Sequence, residues 1–190
     1  MIIHFISSKS NLEESYPYVK QVVDTIKELG HEIARDWVQD EYDYIKSGNR
    51  REDIDWREVH SENIAALSRA DLVIAEVSAK SFSTGFQVAN AIQQKKPVLI
   101  LTRNNALEGT FGSGISSDFV RSKNYTVDSL GDIIADFINE NNIENRDLRF
   151  NFFIDRQIYN YLRWAAYQTG KNKSEILREL ILREINKKED

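Results

Sequence analysis

Hydroxyl and lysine side chains follow two of the apolar segments, where they could hold a phosphate group or a ribose. Ser7, Ser8 and Lys9 come directly after the first apolar segment, and Ser81 and Ser83 follow a later one. Serine hydroxyls donate hydrogen bonds, and a lysine ammonium group adds positive charge that strengthens binding to an anionic oxygen. These side chains are therefore candidates for a ligand-binding site.

Composition excludes several other kinds of site. The chain has no cysteine and only three histidines, so we expect no disulfide, thiolate nucleophile, metal centre or cofactor. Hydrophobic residues make up 41% of the chain, too many for a disordered protein. No apolar run has the length of a membrane span, and the segment 1–5 has no basic flank typical of a secretory signal. We therefore expect a cytoplasmic protein without membrane contact.

Apolar segments alternate with helical patterns over residues 1–141. The predicted strands are residues 2–6, 31–38, 72–76, 97–101 and 120–126. The first predicted helix has Tyr18, Val22, Ile26 and Leu29 on one stripe and ends at Gly30. The other predicted helices are residues 54–67, 83–94 and 129–141. Residues 39–51 show no clear period. Strands without polar alternation predict an α/β domain with a doubly wound, flavodoxin- or Rossmann-like parallel sheet of about five strands, whose ligands bind at the carboxyl ends of the strands.

The last forty residues have a different organisation. Residues 149–154 alternate like one strand, and helical stretches follow at 156–169 and 174–187, the second with Ser174 as its expected cap. We therefore divide the chain into a body (residues 1–141), a linker (142–147) and a tail (148–190). The tail carries nine Lys or Arg and six Asp or Glu, a net charge of +3, whereas the rest has sixteen against twenty-four, a net charge of −8. A basic tail on an acidic body indicates different partners, with a polyanion for the tail.

The tail resembles a ribbon-helix-helix domain. The matching positions are Phe152, Ile154, Leu162, Ala165, Gly170, Ser174, Glu175, Ile176, Arg178, Ile181 and Ile185. The resemblance implies a homodimer, or a higher even oligomer, whose paired strands enter the major groove of double-stranded DNA. Outward-facing Arg149, Asn151 and Phe153 would contact bases, and Lys171, Lys173 and Ser174 would contact phosphates. A tail that only dimerises is the alternative, because +3 is a small charge for a DNA-binding unit.

The body resembles the nucleoside 2-deoxyribosyltransferase-like superfamily. The resemblance depends on residues 59–67, on Ala70 to Ser78, and on Ser81 to Ala91 before Lys96 and Pro97. This superfamily contains nucleoside deoxyribosyltransferases and N-glycosidases of nucleoside monophosphates. It implies a nucleoside or nucleotide as ligand.

Both acidic positions of the superfamily carry amides in this chain. Its nucleophilic glutamate, in a Gly-x-Glu motif, corresponds to Gln87 after Gly85, and an aspartate on the preceding helix corresponds to Asn63. A carboxylate can stabilise an oxocarbenium-like centre and form a glycosyl ester, whereas a neutral amide is a poor nucleophile. The glycine-rich phosphate loop of the monophosphate-cleaving members is likewise replaced by Ser7-Ser8-Lys9-Ser10-Asn11. The resemblance thus implies catalytic positions that are degenerate and a pocket that still binds.

Other residues are open to two interpretations. Glu76 ends a strand and is either a surrogate carboxylate and ligand contact or a structural group that binds loop N–H groups. Tyr42 and Tyr44 could stack on a base, or could be ordinary surface residues. His60 and the three tryptophans, Trp37, Trp56 and Trp164, are assigned structural roles.

Three functions are consistent with these patterns. The preferred one is a ligand-responsive DNA-binding regulator, in which nucleotide binding to a degenerate body changes the arrangement of the body and the tail. The second is an active nucleoside or nucleotide N-glycosidase or deoxyribosyltransferase, including the case of a toxin-like effector. The third is a non-catalytic interaction protein whose tail only forms dimers.

Overall fold

The computed structural model describes residues 1–48, 54–103, 105, 114–115, 117–142 and 152–187. Contacts between Cα atoms divide the chain into two compact units, Met1–Asn142 and Ile143–Asp190. Each unit has a hydrophobic cluster of its own. Among the described residues, no helix has the length and apolarity needed to cross a membrane.

The first unit is an α/β domain whose sheet is entirely parallel. Its strands are β1 (Ile2–Ser7), β2 (Glu32–Ile33), β3 (Leu72–Glu76), β4 (Val98–Thr102) and β5 (Val120–Asn124). Its helices are α1 (Leu12–Glu28), α2 (Val38–Lys46), α3 (Trp56–Arg69), α4 (Phe82–Gln93) and α5 (Leu130–Glu140). The strand order is β2-β1-β3-β4-β5, so the predicted α/β fold with five parallel strands is confirmed. The order reverses between β1 and β3, and a reversal of this kind leaves a crevice at the carboxyl ends of the strands.

Hydrophobic side chains cover both faces of the sheet. Ile3, Phe5, Leu72 and Ile74 pack with α1 and α5 on one face. The alternate residues, among them Ile6, Val73 and Ala75, pack with α3 and α4 on the other. Because successive strand residues point to opposite faces, continuous apolar strands are what such a sheet requires.

Two predictions for the first eighty residues need correction. The strand predicted for residues 31–38 is limited to Glu32–Ile33, and α2 begins at Val38, the last of these residues, and continues into the stretch 39–51 that showed no period. The inward positions of α2 do have helical spacing, but one of them is Glu41, which is buried and bonded to Lys9, so the apolar pattern is interrupted.

The stripe predicted for α1 is also partly wrong. Val22 and Ile26 are buried as expected, but Tyr18 and Leu29 are exposed and Val19 and Val23 take their places. Gly30 follows the helix with a φ angle of +81°, a left-handed conformation that favours glycine.

The second unit contains two helices, α6 (Arg156–Thr169) and α7 (Lys173–Asn186). Leu162, Ala165 and Ile176 form its small buried cluster. Phe152, Phe153 and Ile154 form no strand within the single chain, and the remainder of the predicted strand, Arg149 to Asn151, lies outside the described residues, as does the linker beyond Asn142. A ribbon strand needs a second strand to pair with, which one copy of the chain does not supply.

The cap of α7 differs from the predicted one. Asn172 is the N-cap: its side chain accepts a hydrogen bond from the Glu175 backbone N–H, and the Glu175 carboxylate accepts one from the Asn172 N–H, both at 2.9 Å. Ser174 lies inside the first turn instead. Gly170 (φ +69°) ends α6 two residues earlier, so the chain turns between the helices without strain.

This reciprocal cap generates a test with a matched control. Replacing Asn172 by alanine should destabilise α7 by about 1 kcal/mol, because the Glu175 backbone N–H loses the side-chain oxygen that accepts its hydrogen bond. Ser174→Ala should change the stability of α7 by less than about 0.5 kcal/mol. Amide hydrogen exchange across α7 measures both effects, and equal loss of protection in the two variants would contradict this cap.

Candidate active site and ligand cavity

A cavity of about 230 Å³ lies at the carboxyl end of β1, beside the point where the strand order reverses. The end of β1 is in register with the end of β3, since Ser7 pairs with Glu76. The lining residues come from β1 and its loop, from the segment after β2, and from α3 and α4: Phe5, Ile6, Ser7, Lys9, Arg35, Trp37, Trp56, Val59, His60, Asn63, Ile64, Ser83, Phe86 and Gln87. This position is the one that a doubly wound sheet provides for ligands.

The cavity brings together five of the residues singled out from the sequence. Ser7, Lys9, Asn63, Ser83 and Gln87 all line it. They belong to three separate parts of the chain, which the parallel topology joins at one edge of the sheet. Gln87 and Asn63 therefore lie where a single ligand can contact both.

The amide of Gln87 is held by a buried histidine. His4 is on β1, is 1% exposed, and has its Nε2 atom 3.1 Å from Gln87 Oε1. Burial lowers the pKa of His4, the nearby cations Arg35 and Lys96 lower it further, and the hydrogen bond to Gln87 opposes them. The imidazole is therefore neutral at neutral pH, and the Gln87 oxygen is occupied by it.

Asn63 is held by a cation. The Arg35 guanidinium donates to Asn63 Oδ1 at 3.1 Å and also forms an ion pair with Glu62 at 2.5 Å. The amide oxygen of Asn63 is thus already accepting a hydrogen bond, and an amide carries no proton that it could transfer. Arg35 brings positive charge directly to the cavity wall.

Lys9 is the second cation of the wall. Its ammonium group is 2.5 Å from the buried carboxylate of Glu41 on α2 and lies 5.3 Å from the centre of the Trp37 ring. Within the described lining there are two cations and no carboxylate, because Glu41 and Glu62 bind these cations from outside it. The cavity is therefore suited to an anionic group.

Aromatic rings form another part of the lining. Trp56 is half exposed, and the rings of His60 and Phe86 are 5.9 Å apart, with Phe82 stacked on the outer side of Phe86. Trp56 and His60 were expected to have structural roles, but Trp56 is too exposed for a core residue, and both side chains line the cavity. Exposed ring faces at a cavity mouth can stack on a planar ligand.

Four predicted ligand contacts do not line the cavity. Ser8 is buried and accepts a hydrogen bond from the Ser10 backbone at 3.2 Å. Ser81 is the N-cap of α4, accepting from the Thr84 N–H at 3.4 Å. Gly85 is exposed on α4, and Glu76 is buried elsewhere.

Glu76 belongs to a structural network on the opposite face of the sheet. One of its oxygens accepts hydrogen bonds from Arg103 at 3.4 Å and from Tyr125 at 3.3 Å, and it is also bonded to Ser78. Burial and the neighbouring carboxylate raise the pKa of Tyr125, which stays protonated as a donor. For a structural role of Glu76, we expected hydrogen bonds from backbone N–H groups. The donors in the structure are the side chains of Arg103, Tyr125 and Ser78 instead. Because strand residues alternate, Glu76 faces the side occupied by Leu72 and Ile74, away from Gln87.

The two tyrosines considered for base stacking lie outside this cavity. Tyr42 stacks on Tyr16 with ring centres 3.6 Å apart and packs against the core. Tyr44 lines a neighbouring groove, which shares Lys9, Arg35 and Trp37 with the cavity.

Arg35 and His4 are the important residues that sequence reasoning missed. Arg35 follows the short β2, which was predicted as a longer strand, so its position at the carboxyl end was hidden. His4 lies inside an apolar strand, and the sequence did not show which helix packs against the His4 side of that strand. The spacing of Trp56, His60 and Asn63 was a usable signal, because positions four and seven residues after the first share one face of a helix.

The predicted DNA contacts of the tail are only partly described. Phe153 is fully exposed, whereas Arg149 and Asn151 lie outside the described residues. Lys173 and Ser174 are exposed in the first turn of α7, the Lys173 ammonium lies 4.2 Å from the centre of the Tyr159 ring, and Lys171 forms an ion pair with Glu179. Trp164, assigned a structural role, is 58% exposed.

Sequence comparison identifies relatives of the body. No protein-family model matches the chain. A 2'-deoxynucleoside 5'-phosphate N-hydrolase 1 (named as putative) from Thermofilum pendens is 31% identical over 90 residues, which cover 47% of this chain and 59% of the relative. The 5-hydroxymethyl-dUMP N-hydrolase of Tetraodon nigroviridis is 25% identical over 112 residues, covering 57% of this chain and 74% of the relative.

A solved structure has the same fold. The CMP N-glycosidase of Clostridium botulinum superposes with a TM-score of 0.51 and 12% sequence identity, over 72% of this chain and 99% of its own. The solved structure thus shares the fold of the body, and the sequence relatives that match part of the chain carry the names of nucleotide N-hydrolases.

Proposed function

We propose that the body binds a nucleoside 5'-monophosphate and does not cleave it. The observation that carries this proposal is the described lining of the cavity, which has two cations and two amides but no carboxylate. Cleavage of a glycosidic bond with retention needs one carboxylate as nucleophile and a second acidic group for proton transfer. Gln87 and Asn63 can supply neither, and both can still form hydrogen bonds.

The parts of a nucleotide match the parts of the wall. Lys9 and Arg35 offer charge for the phosphate, Ser7 and Ser83 offer hydroxyl groups, and the rings of Trp56 and Phe86 offer a stacking surface for the base. The names of the relatives, which act on deoxynucleoside monophosphates, support this class of ligand. They also favour the alternative function, an active nucleotide N-hydrolase.

A phosphate must compete for both cations. Glu62 holds Arg35, and Glu41 holds Lys9, at 2.5 Å in each pair. Removing the charge of Glu62 should therefore release Arg35 for the ligand. Glu58 lies one helical turn earlier on α3 and does not line the cavity, so its substitution supplies a control with the same change in charge.

Binding is tested by thermal unfolding with CMP, dCMP, dUMP and the corresponding nucleosides. The monophosphates should raise Tm more than the nucleosides do, because only they reach the cations. Glu62→Gln should tighten monophosphate binding by about two- to fivefold, the value of a partly exposed ion pair, and Glu58→Gln should leave it unchanged. Equal effects of the two substitutions would contradict this phosphate site, and no response to any nucleotide would favour a pure interaction protein.

For the second unit we infer a ribbon-helix-helix dimer that binds double-stranded DNA. What supports it is the apolar surface that one copy exposes: Phe153, Ile158, Tyr161, Trp164, Ile181, Leu182 and Ile185 are all between 43% and 106% exposed. Two helices with so small a core need a partner, and a second copy would pair the strands as well. Because ligand and DNA would bind one chain, nucleotide occupancy can be thermodynamically linked to DNA affinity, which would make the protein a nucleotide-responsive regulator.

This inference predicts a dimer in solution and a salt-dependent complex with DNA. Arg149→Ala should weaken binding by about 1–3 kcal/mol and relax the sequence preference, because a contact to a base is lost. Lys187→Ala, an equal change of charge at the far end of α7, should have little effect. Sedimentation and fluorescence anisotropy measure these quantities, with and without CMP. A dimer that binds no DNA at low salt would leave dimerisation as the only role of the tail.

A further inference from the structure

The hydrogen bond between the buried His4 and the partly exposed Gln87 bears on which group the cavity presents to a ligand. His4 Nε2 lies 3.1 Å from Gln87 Oε1, and an amide oxygen can only accept a hydrogen bond. The Nε2 atom must therefore carry the hydrogen, and Nδ1 is left as an acceptor. Nδ1 is buried and has no hydrogen-bond partner among the described residues, which agrees with a neutral ring whose single N–H is on Nε2.

The surroundings of His4 also favour the neutral ring. The cations that influence it are Arg35 and Lys96, and both disfavour a second positive charge, as does burial. Its bonded neighbour is a neutral amide rather than a carboxylate. His4 and Gln87 thus form a matched uncharged pair, of which only Gln87 lines the cavity.

The orientation of the amide follows from this bond. With its oxygen turned to His4, Gln87 has only its N–H₂ group to offer to the cavity. One hydrogen approaches the Ser83 carbonyl at the long distance of 3.5 Å, which leaves the other for a ligand. A donor therefore occupies the place where the superfamily has a carboxylate that accepts.

We propose that His4 is a positioning residue that turns the amide of Gln87 into a hydrogen-bond donor, and that the pair makes the cavity select ribonucleotides over 2'-deoxynucleotides. The proposal rests on the proposed function of the body, with the sugar C1' near Gln87. Next to C1', the 2'-oxygen is an acceptor that a ribonucleotide has and a deoxynucleotide lacks. A site built around a donor loses a hydrogen bond when that oxygen is missing.

CMP and dCMP differ only in this oxygen and form the matched pair of probes. Isothermal titration should show CMP binding about three- to tenfold more tightly than dCMP, the value of one hydrogen bond. His4→Phe should abolish this preference, because the amide of Gln87 is then free to rotate. His4→Gln should retain the preference for CMP, since the glutamine side chain can still donate a hydrogen bond to Gln87. His31→Phe, which does not line the cavity, is the control for replacing a histidine by phenylalanine.

The ligand-free protein provides an independent readout. Long-range ¹⁵N–¹H correlation spectra report which ring nitrogen of His4 is protonated, and they should show a neutral ring with its hydrogen on Nε2 at pH 7. A hydrogen on Nδ1, an imidazolium ring, or an unchanged CMP preference in His4→Phe would each overturn the proposal. If neither nucleotide binds, the proposed function fails, and the spectra alone decide the role of His4. If His4→Phe does not fold, the His4→Gln variant and the wild-type spectra still test the role of His4.

Discussion

The reversal of strand order between β1 and β3 is the constraint on which the site depends. Both strands are buried and parallel, so their connections leave on opposite faces and open a crevice at their carboxyl ends. This arrangement positions all the described segments that line the cavity: the end of β1 and the loop after it, the segment after β2, and one face each of α3 and α4. The alternation of side chains along β1 and β3 then places His4 on the face of Gln87 and Glu76 on the other.

The electrostatics of the cavity follow from which charges lie inside it. Arg35 and Lys9 line the wall, while their carboxylate partners approach from outside it. In the proposed function, the two positions where catalysis would need an acid are both amides whose oxygen already accepts a hydrogen bond, Gln87 from His4 and Asn63 from Arg35. On this proposal the wall would attract an anion and would not form a glycosyl ester, because neither amide is a nucleophile.

Buried periodic elements were predictable from the sequence, and elements with polar inward positions were not. The strand Leu72–Glu76 was predicted with its observed bounds, because an unbroken apolar run has one interpretation in a parallel sheet. The helix α2 was missed since a buried Glu41 interrupts its stripe, and Arg35 was missed because the strand before it was predicted too long. Gln87 and Asn63 were identified through a resemblance, but the partners that orient them are distant in sequence, and only the fold shows them.

The claim at the centre of this account is that the cavity holds a nucleotide without breaking its glycosidic bond. The most direct measurement is the release of free base, followed by chromatography, when the purified protein is incubated with CMP, dCMP and dUMP beside a variant that combines Gln87→Glu with Asn63→Asp. We predict no release above the uncatalysed rate by the wild-type chain, and a measurable gain in the variant, where carboxylates replace both amides. Release of base by the wild-type chain above the uncatalysed rate would contradict the account.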